Sequence, residues 1–534
     1  MKFKSIYLIP IAFIALAVAS CKKELADVNK NPNQVLANKY DPNLLLTTVQ
    51  LMYSGPLDYG GSQWATKWGA VGCFIQHTAS TSTGFYYGDK YLGNIGAMGE
   101  MFQDSYTSDV QPVVELYTLT ANKPEYKNLH QMSRIMKAMV FEQITDLYGD
   151  IPYSQAGLGY YTRNFTPVYD KQQDIYTDLL KEVSQATDSL DANADKPTGD
   201  ILYSQSGDQI GQWKKFGNSL LLRIAMRLTK VDPTTAQKYV AQVIGKTMTS
   251  NDDNAIVQHQ DGVPLTANRD AVEIFGNDST DFRLSKTFID NMQTNGDPRL
   301  PVVAWIYTST TDDDGNVTVT TDNTPENQLG MPSGYIVGGN NPTLDITKLG
   351  PTLYKPDLGI HGYSTVNGNI LNTAAPDLIL TYAETEFLLA DAANRWGIGG
   401  DAATHYNNGV VAAITQLSAY GDAATIDDSD GEITDYLNNN AYQGGAAGLA
   451  QINTQYWLCT LMDEYEAYAN YRRSGDLPKL TPVNYPGNVT AGTIPRRLNY
   501  PQNQKISNGT NYNAAVARLT GGDKITSRVW WDVQ

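Results

Sequence analysis

The chain has 534 residues, of which 41% are hydrophobic, so it can bury a substantial core in one large domain or in several small ones. Its formal net charge is −17, and no run of basic residues offsets that charge. So acidic a surface repels phosphate backbones, which argues against nucleic acid as a partner.

The N-terminus has the pattern of a secretory signal. Two lysines precede an almost entirely apolar run at residues 6–18, which is shorter than the ~20 apolar residues that a membrane-spanning helix needs. Small residues then lead directly to Cys21, as in a bacterial lipoprotein signal. We therefore predict a signal peptide at residues 1–20 and a lipid anchor on Cys21, where each buried CH₂ contributes ~0.8 kcal/mol to membrane binding. The alternative is an ordinary signal peptide with a chance cysteine.

Residues 21–42 are predicted to be a polar tether, and residues 43–534 a single domain. Beyond the tether, three apolar stripes with a 3.6-residue period predict amphipathic helices with buried faces. Gly149 follows the first stripe and predicts the end of its helix. The stripes are Leu129, Met132, Met136, Val140, Ile144 and Leu147; Ile175, Leu179, Val183, Ala186 and Leu190; and Trp213, Phe216, Leu220, Ile224 and Leu228.

Residues 250–372 interrupt the helical pattern with a loop-rich, partly β excursion. Its stretches VVAWIYTST and VTVTT are typical of strands, and DDDGN between them predicts a hairpin turn. Asp312, Asp314 and Asn316 in this turn also offer oxygen ligands for a structural calcium ion. The bidentate Glu of an EF-hand loop is missing, so we favour a plain turn.

Helices return from residue 377 with a tetratricopeptide-like spacing. Ala402, Tyr406 and Gly409 match the small and aromatic positions in the second helix of such a repeat, and Leu389 and Ala392 match the first. Repeats of this kind bury their faces only by stacking, so several degenerate pairs are expected. The predicted fold is mostly α, with tetratricopeptide-like pairs at residues 377–475 in an α-superhelical scaffold, and with short β-strands in the loop-rich region.

The sequence carries no catalytic motif, and no cofactor is predicted beyond the calcium ion considered above. It contains no G-x-S-x-G, H-E-x-x-H or C-x-x-C pattern, and its five histidines lack ligand spacing. Glu384, Glu386 and Asp391 are interpreted as a solvated helix face rather than as a glycosidase pair. Cys73 and Cys459 can be two free thiols or one disulfide.

Eight segments spread over the mature chain carry a family resemblance. They are DVNKNPNQ, ITDLYGDIPYSQA, WKKFGNSLLLRIAMRL, FRLSKTFIDNMQTNGDPRLP, LILTYAETEFLLADAANRWG, YANYRRSGDLPKL, IPRRLNYPQNQ and RVWWD. Together with the lipoprotein cysteine, and in this order, they resemble the SusD/RagB family of nutrient-binding outer-membrane lipoproteins. The resemblance implies a helical, non-enzymatic protein that faces the cell exterior. It also implies a SusC-like TonB-dependent barrel transporter as partner, on which the protein acts as a lid that captures oligosaccharides or peptides.

Only Cys21 transfers from the family residue by residue, as the lipid site. Arg472, Arg473, Arg496 and Arg497 are expected to pair with carboxylates rather than with a ligand. The predicted function is capture of nutrient ligands, with oligosaccharides as the favoured class, for delivery to the transporter. The alternative is a tetratricopeptide-type scaffold lipoprotein that binds peptides or partner proteins.

The ligand residues are predicted from composition. Aromatic rings stack on the C–H faces of sugars, while amides and carboxylates bind the hydroxyl groups. Two stretches offer this mixture: STSTGFYYGDKYLGN, and the irregular middle, where Tyr307 and other aromatic residues lie near Asn327 and Gln328. For any one of these aromatic rings, the alternative to ligand binding is that the ring packs its loop against the rest of the protein. We predict that at least two of five aromatic residues line the site: Tyr86, Tyr87, Tyr91, Trp305 and Tyr335.

Overall fold

The computed structural model describes residues 40–55, 61–81, 88–93, 95–277, 281–312, 314–338 and 341–534. Cys21, Tyr86 and Tyr87 lie outside these residues. Residues Asn43–Gln534 form one compact unit in which helices dominate and strands are few and short. The mostly α fold predicted from the sequence is therefore confirmed.

The helices and strands of the described residues have the following bounds. The α-helices are α1 (Asn43–Ser54), α2 (Ile95–Asp104), α3 (Gln111–Thr120), α4 (Lys127–Tyr148), α5 (Gly159–Thr162), α6 (Gln172–Ser189), α7 (Gln209–Arg227), α8 (Pro233–Val243), α9 (Arg269–Ala271), α10 (Lys286–Thr294), α11 (Leu300–Val303), α12 (Tyr382–Trp396), α13 (Ala402–Thr415), α14 (Glu432–Asn439), α15 (Gly445–Cys459), α16 (Glu464–Ser474), α17 (Gln504–Ser507) and α18 (Gly509–Arg518). Three segments are π-helical: Gly61–Gly72, Ser105–Val110 and Val272–Asn277. Short 3₁₀ turns occur at Gly88–Lys90, Pro124–Tyr126, Asn251–Asp253, Pro325–Asn327, Ile346–Lys348, Gly359–Gly362, Gln416–Tyr420 and Asp422–Ala424. The strands are β1 (Thr78–Ser80), β2 (Ile151–Pro152), β3 (Tyr169–Asp170), β4 (Ala255–Val257), β5 (Phe282–Leu284), β6 (Ala304–Thr311), β7 (Val317–Asp322), β8 (Thr365–Val366) and β9 (Asp377–Leu380).

Helices that follow one another along the chain pack in pairs, which is the tetratricopeptide-like arrangement. Helix α3 packs on α4, α4 on α6, α6 on α7, and α7 on α8. The three predicted stripes fall on α4, α6 and α7 or directly after their last residues, and every stripe residue is buried. Helix α4 ends as predicted at Gly149, whose φ of 86° favours glycine.

The close packing of α12 on α13, the predicted repeat, depends on a glycine. A Cβ at position 409 would lie 2.6 Å from the ring of Phe387 on the facing helix, so only glycine fits there. Helix α12 begins with a capping box, in which Thr381 and Glu384 satisfy each other's backbone amides. It ends at Gly397, which adopts a left-handed conformation with a φ of 66°.

The interpretation of Glu384, Glu386 and Asp391 as a solvated face is wrong. Their exposed fractions are 2%, 5% and 0%. Helix α12 packs against α13 on one side and α15 on another, so little of its surface is left for water. Glu386 instead pairs with His405 at 2.8 Å, and Asp391 with Arg473 at 3.2 Å.

Two buried arginines of α7 connect four helices through carboxylates. Arg223 Nη2 lies 2.9 Å from Glu142 of α4, and Arg227 Nε lies 3.0 Å from Asp146 of the same helix. Both guanidinium groups also contact Glu466 of α16. We call the set of Glu142, Asp146, Arg223, Arg227, Glu384 and Glu466 the ion network. Carboxylates outnumber arginines in it, and burial raises the pKa of Glu384 to about 8.

Three of the four predicted arginine pairs are present. Arg473 pairs with Asp391, while Arg496 and Arg497 pair with carboxylates of the C-terminal segment. Arg472 differs from the prediction, because it donates to the backbone carbonyls of Asp146 and Arg496. Its guanidinium group also lies over two aromatic rings, those of Tyr468 at 3.9 Å and Trp531 at 4.8 Å.

The excursion at residues 250–372 contains the predicted strands. Strand β6 pairs with β7 in a hairpin, and with β8 on its other edge, while β5 pairs with β1. Its loops at residues 329–363 surround a separate small core, formed by Ala79, Met331, Ile346 and Tyr363. Helix α10 lies within the excursion and was not predicted.

The first described helix is fixed to the body by close backbone packing. Thr47 Oγ1 donates to the carbonyl of Gly199 at 2.6 Å, and Gln50 Nε2 donates to Asp200 at 2.9 Å. A Cβ at position 199 would lie 1.9 Å from the carbonyl oxygen of Asn43, so the two backbones meet only because residue 199 is glycine.

The two cysteines in the described residues, Cys73 and Cys459, are free thiols. Cys73 is fully buried and Cys459 is half-buried. The alternative of a disulfide between them is therefore not realised in this structure.

Candidate ligand-binding site

Two predicted aromatic residues lie in the excursion, and one of them is part of a ring pair on β6. Trp305 and Tyr307 are two positions apart, so a strand directs both to the same face. Their ring centroids are 6.0 Å apart at an interplanar angle of 37°, and both residues are half-buried. A Cβ at position 368 would lie 2.7 Å from the indole, so Gly368 lets this ring lie close to the backbone. The indole Nε1 has no hydrogen-bond partner.

The two sequence stretches predicted to bind ligand contact each other directly. The amide of Gly334 donates to Asp89 Oδ2 at 3.0 Å. Tyr335 follows Gly334, is half-buried, and packs against the small core. Asp89 belongs to the segment that immediately follows residues 82–87, where Tyr86 and Tyr87 lie. The structure therefore fixes the end of the first stretch beside Tyr335.

The contact between Asp89 and Gly334, which we call the junction, is stabilised by a buried ion pair and by close packing. Lys90 Nζ lies 2.9 Å from Asp89 Oδ1 and donates to the carbonyl of Ser80 at 3.2 Å. Burial raises the pKa of Asp89, against the opposing effect of the Lys90 ammonium. A Cβ at position 88 would lie 2.5 Å from the carbonyl oxygen of Gly69, so Gly88 permits this approach. Asp89 is therefore a fixed structural residue rather than a free ligand contact.

Tyr91 lies in the core rather than at a ligand surface. Its exposed fraction is 0%, and its ring packs edge-on against Phe74 at a centroid distance of 6.3 Å. The chain turns inward at this point, and Tyr91 has a φ of 53°. Because the ring does not reach solvent, we remove Tyr91 from the candidate set.

Trp305 is connected to the first stretch by successive backbone pairings. It lies opposite Thr365 of β8, and the carbonyl of the preceding Ser364 accepts from the amide of Leu284 at 2.9 Å. Leu284 lies opposite Thr78 of β1. Because each pairing adds at most one strand spacing of ~4.8 Å, the backbone of Trp305 lies within about 15 Å of β1, which leads into residues 82–87.

The two predicted amide residues have different roles. Gln328 is 4% exposed, and its Nε2 donates to the carbonyls of Asp322 at 2.9 Å and Thr324 at 3.0 Å. Its amide therefore holds the loop. Asn327 is exposed, and its side-chain amide donates only to the side chain of Asp322 among the described residues, so the rest of that amide can reach a ligand.

Comparison with known proteins identifies the family. Residues 45–501 match the SusD-like family described as "Starch-binding associating with outer membrane". The chain belongs to the SusD-like family. The resemblance stated from the sequence is therefore confirmed. The family description names binding rather than catalysis. The prediction that this SusD-like protein is not an enzyme is therefore also confirmed.

Solved structures agree with this assignment. A chitin-binding protein is 31% identical, with a TM-score of 0.77 over 92% of this SusD-like chain and 100% of its own. A SusD-like protein from Bacteroidetes AC2a is 26% identical, with a TM-score of 0.78 over 93% and 100% of the two chains. A chitin-binding SusD homologue from Flavobacterium johnsoniae, at 23% identity, shares the fold with a TM-score of 0.69 over 92% and 98%. None of the curated proteins matches the chain.

The DDDGN stretch of this SusD-like protein forms the predicted hairpin turn. Asp312 Oδ1 accepts from the amides of Asp314 at 3.0 Å and Asn316 at 2.8 Å, and these bonds lower the pKa of Asp312 together with a bond from the Asn316 side chain. Of the calcium candidates, Asp312 and Asn316 are thus bonded to each other through their side chains, while Asp314 contributes its backbone amide to the turn. In the described part of the chain, no group of three or more His, Cys, Asp or Glu side chains could hold a metal ion.

No helix of the described residues combines the length and the apolar character needed to span a bilayer. The SusD-like family is associated with the outer membrane.

Proposed function

We propose that this protein is a lipid-anchored glycan-binding protein on the outer face of the outer membrane. It captures oligosaccharides on the excursion and delivers them to a SusC-like TonB-dependent barrel transporter. The observation that carries the proposal is the junction at Asp89 and Gly334, which joins the two aromatic-rich stretches of the sequence. Trp305, Tyr307 and Tyr335, which are all half-buried residues of the excursion, supply the rings that sugars need.

Chitin-type oligosaccharides are the first ligands to test. A relative that is 31% identical over nearly the whole chain is described as chitin-binding, and the family as starch-binding. We therefore choose oligomers of N-acetylglucosamine and maltooligosaccharides of equal length. The two series share the pyranose ring but differ in the acetamido group and in the linkage. Tighter binding of one series therefore shows that the site recognises one of these differences.

The decisive experiment is calorimetric titration of single alanine variants. Trp305→Ala and Tyr335→Ala should each weaken binding of the preferred oligosaccharide by at least tenfold, because stacking residues in such sites are often hot spots worth about 2 kcal/mol. Tyr86→Ala and Tyr87→Ala complete the predicted set. Tyr160→Ala is the matched control, since this tyrosine is 89% exposed and lies on α5, outside the excursion. Parental affinity in all four variants would refute the proposed site.

The lipid anchor is tested separately from ligand binding. Mass spectrometry of the membrane fraction should find Cys21 as an acylated N-terminus. Cys21→Ala should move the protein into the soluble fraction while leaving oligosaccharide affinity unchanged. Digestion of intact cells by an added protease tests the outward facing, because a protein on the inner leaflet is protected until the outer membrane is opened.

The transporter partnership is tested by recovery from solubilised outer membranes. A lid that covers a barrel should bury well over the ~1,000 Å² expected of a specific interface. Affinity purification should therefore recover a large barrel protein in stoichiometric amount. Recovery of soluble peptide-binding partners instead would favour the scaffold alternative.

A further inference from the structure

A cavity lies in the helical body, away from the excursion loops that carry Trp305 and Tyr335. It is enclosed by the end of α1, the start of α12, the turn between α15 and α16, and the two π-helical segments Gly61–Gly72 and Ser105–Val110. Its volume is about 60 Å³, and a buried water needs roughly 15 Å³ of such space, so the cavity can hold a small molecule. π-Helical segments are rare and often occur at functional sites.

Acidic side chains outnumber basic ones in the wall of this cavity. Among the described lining residues, Lys67 is the only cation, and its ammonium already pairs with Asp270 at 2.5 Å. Five carboxylates line the same space: Asp104, Asp109, Asp377, Glu384 and Asp463. A cation that pairs with these carboxyl groups would favour their charged forms, whereas an anion would find only Lys67, which is already paired.

Two oxygen atoms in the wall have no partner within the protein. Asp109 is 8% exposed and its Oδ1 accepts no hydrogen bond, although Asp109 lines the cavity. Ser62 is 1% exposed, and its Oγ also lacks a partner. Nearly all buried polar atoms are hydrogen-bonded, so a donor supplied by an occupant would satisfy them. Burial raises the pKa of Asp109 well above its ordinary value, which is the sign expected for a carboxyl without a counter-charge.

The remaining wall favours an organic cation over a metal ion. Tyr53, Tyr420 and Tyr465 line the cavity, and the faces of aromatic rings attract ammonium groups. In the described residues, no three acidic, His or Cys side chains converge closely enough to hold a metal. An ammonium group needs no such convergence, because its three N–H donors can reach separate acceptors.

We propose that this cavity binds a small protonated amine, whose ammonium group donates hydrogen bonds to Asp109 and Ser62. The cavity is a second binding site, distinct from the proposed oligosaccharide site at Trp305, Tyr307 and Tyr335. It does not depend on the proposed glycan function, because none of the residues invoked there lines it.

The test uses a charged probe and a neutral probe of the same shape. Ethanolamine and ethylene glycol differ in one group, an ammonium against a hydroxyl. Each is titrated into the purified full chain in phosphate buffer without amines, and binding is followed by calorimetry. Ethanolamine should bind at least tenfold more tightly than ethylene glycol. Equal affinity of the two probes would overturn the proposal.

Two variants place the binding in this cavity. Asp109→Asn should weaken ethanolamine binding at least tenfold, and it should fold, because the neutral amide has the shape of a protonated carboxyl group. Ser62→Ala should weaken binding severalfold and serves as the second readout. Asp188→Asn, which changes an exposed carboxylate on α6, is the matched control and should bind like the parent.

Three outcomes contradict the amine site. Parental ethanolamine affinity in both Asp109→Asn and Ser62→Ala would place the binding elsewhere. Binding of sodium or calcium that depends on Asp109, without binding of ethanolamine, would assign the cavity to a metal ion. If Asp188→Asn weakened ethanolamine binding as much as Asp109→Asn, the binding would depend on the overall charge of the surface and not on this cavity.

Discussion

The helical body and the outer segment, which we define as the described residues of 329–363, are stabilised in different ways. The body has a continuous hydrophobic core and the ion network, whose arginines contact three or more helices. The outer segment has a small core, in which Met331, Ile346 and Tyr363 pack with Ala79 of β1, and short 3₁₀ turns, with no α-helix among its described residues. The difference indicates that the body sets the global stability, while the outer segment can change its sequence at low cost to the fold.

The strongest test of this comparison removes a charge from the body. Arg227→Met should lower the free energy of unfolding by about 3 to 5 kcal/mol, because it leaves Asp146 buried without its cationic partner and Glu466 with Arg223 alone. Chemical denaturation measures this change. Arg134→Met is the control, since its pair with Glu182 is partly exposed and should be worth less than about 1 kcal/mol. Similar losses in the two variants would contradict a central role of the ion network.

The second test removes packing from the outer segment. Ile346→Ala deletes a fully buried side chain from the small core and should cost about 2 to 4 kcal/mol of local stability. Hydrogen exchange should accelerate across residues 329–363 while protection of α4 and α7 stays at the parental level. Uniform acceleration over the whole chain would show that the small core is not independent of the body.

Sequence reasoning succeeded where the signal was local. The stripes of α4, α6 and α7 repeat within a few residues, and the hairpin of β6 and β7 is specified by the turn between its strands. It failed where partners are far apart in sequence. Arg227 and Glu466 are separated by 239 positions, and no pattern near either residue indicates that they meet.

In the candidate site, too, local features were predictable from the sequence and long-range contacts were not. The composition of the two aromatic stretches was visible in the sequence, but the hydrogen bond that joins them spans 245 positions. Tyr91 was misplaced because the stretch around it, rich in Gly and Ser, is typical of an exposed loop. Gly88 instead allows that stretch to pack on a π-helical backbone, which carries Tyr91 into the core. Tyr307 was left out of the predicted set, although its i, i+2 spacing from Trp305 on a strand indicates the shared face.

The third test uses pH to probe the body. Glu384 has a pKa of about 8 in the folded protein, above its ordinary 4.5, because burial disfavours the charged form. Its contribution to stability is therefore complete below about pH 4.5 and is lost as the pH rises through about 8, by at most ~1.4 kcal/mol per pH unit.

Glu384→Gln should flatten this decline, because a neutral amide has no proton to lose. Free energies of unfolding, measured by denaturant at intervals between about pH 5 and pH 8, give the two slopes. Glu432→Gln on α14 changes an exposed carboxylate and should keep the parental slope. A parental slope in Glu384→Gln would assign the pH dependence to other groups.

The smallest expected effect lies at the tip of the β6–β7 hairpin. Asp312→Ala removes the oxygen atoms that accept from Asp314 and Asn316, and should lower the thermal midpoint by only one or two degrees, because the turn is exposed. Added calcium should leave the midpoint of the parent unchanged. A rise in the parent that disappears in Asp312→Ala would restore the calcium candidates.

The close contact between Asn43 and Gly199 has a mechanical consequence. Any pull on the chain before Asn43 is transmitted first to this contact and to the bonds that Thr47 and Gln50 make with the turn at residues 199–200. From there the load passes into the helical body, whose elements are held at many points. None of these contacts involves Trp305, Tyr307 or Tyr335, so the protein can be held at one end while the geometry of the rings is preserved.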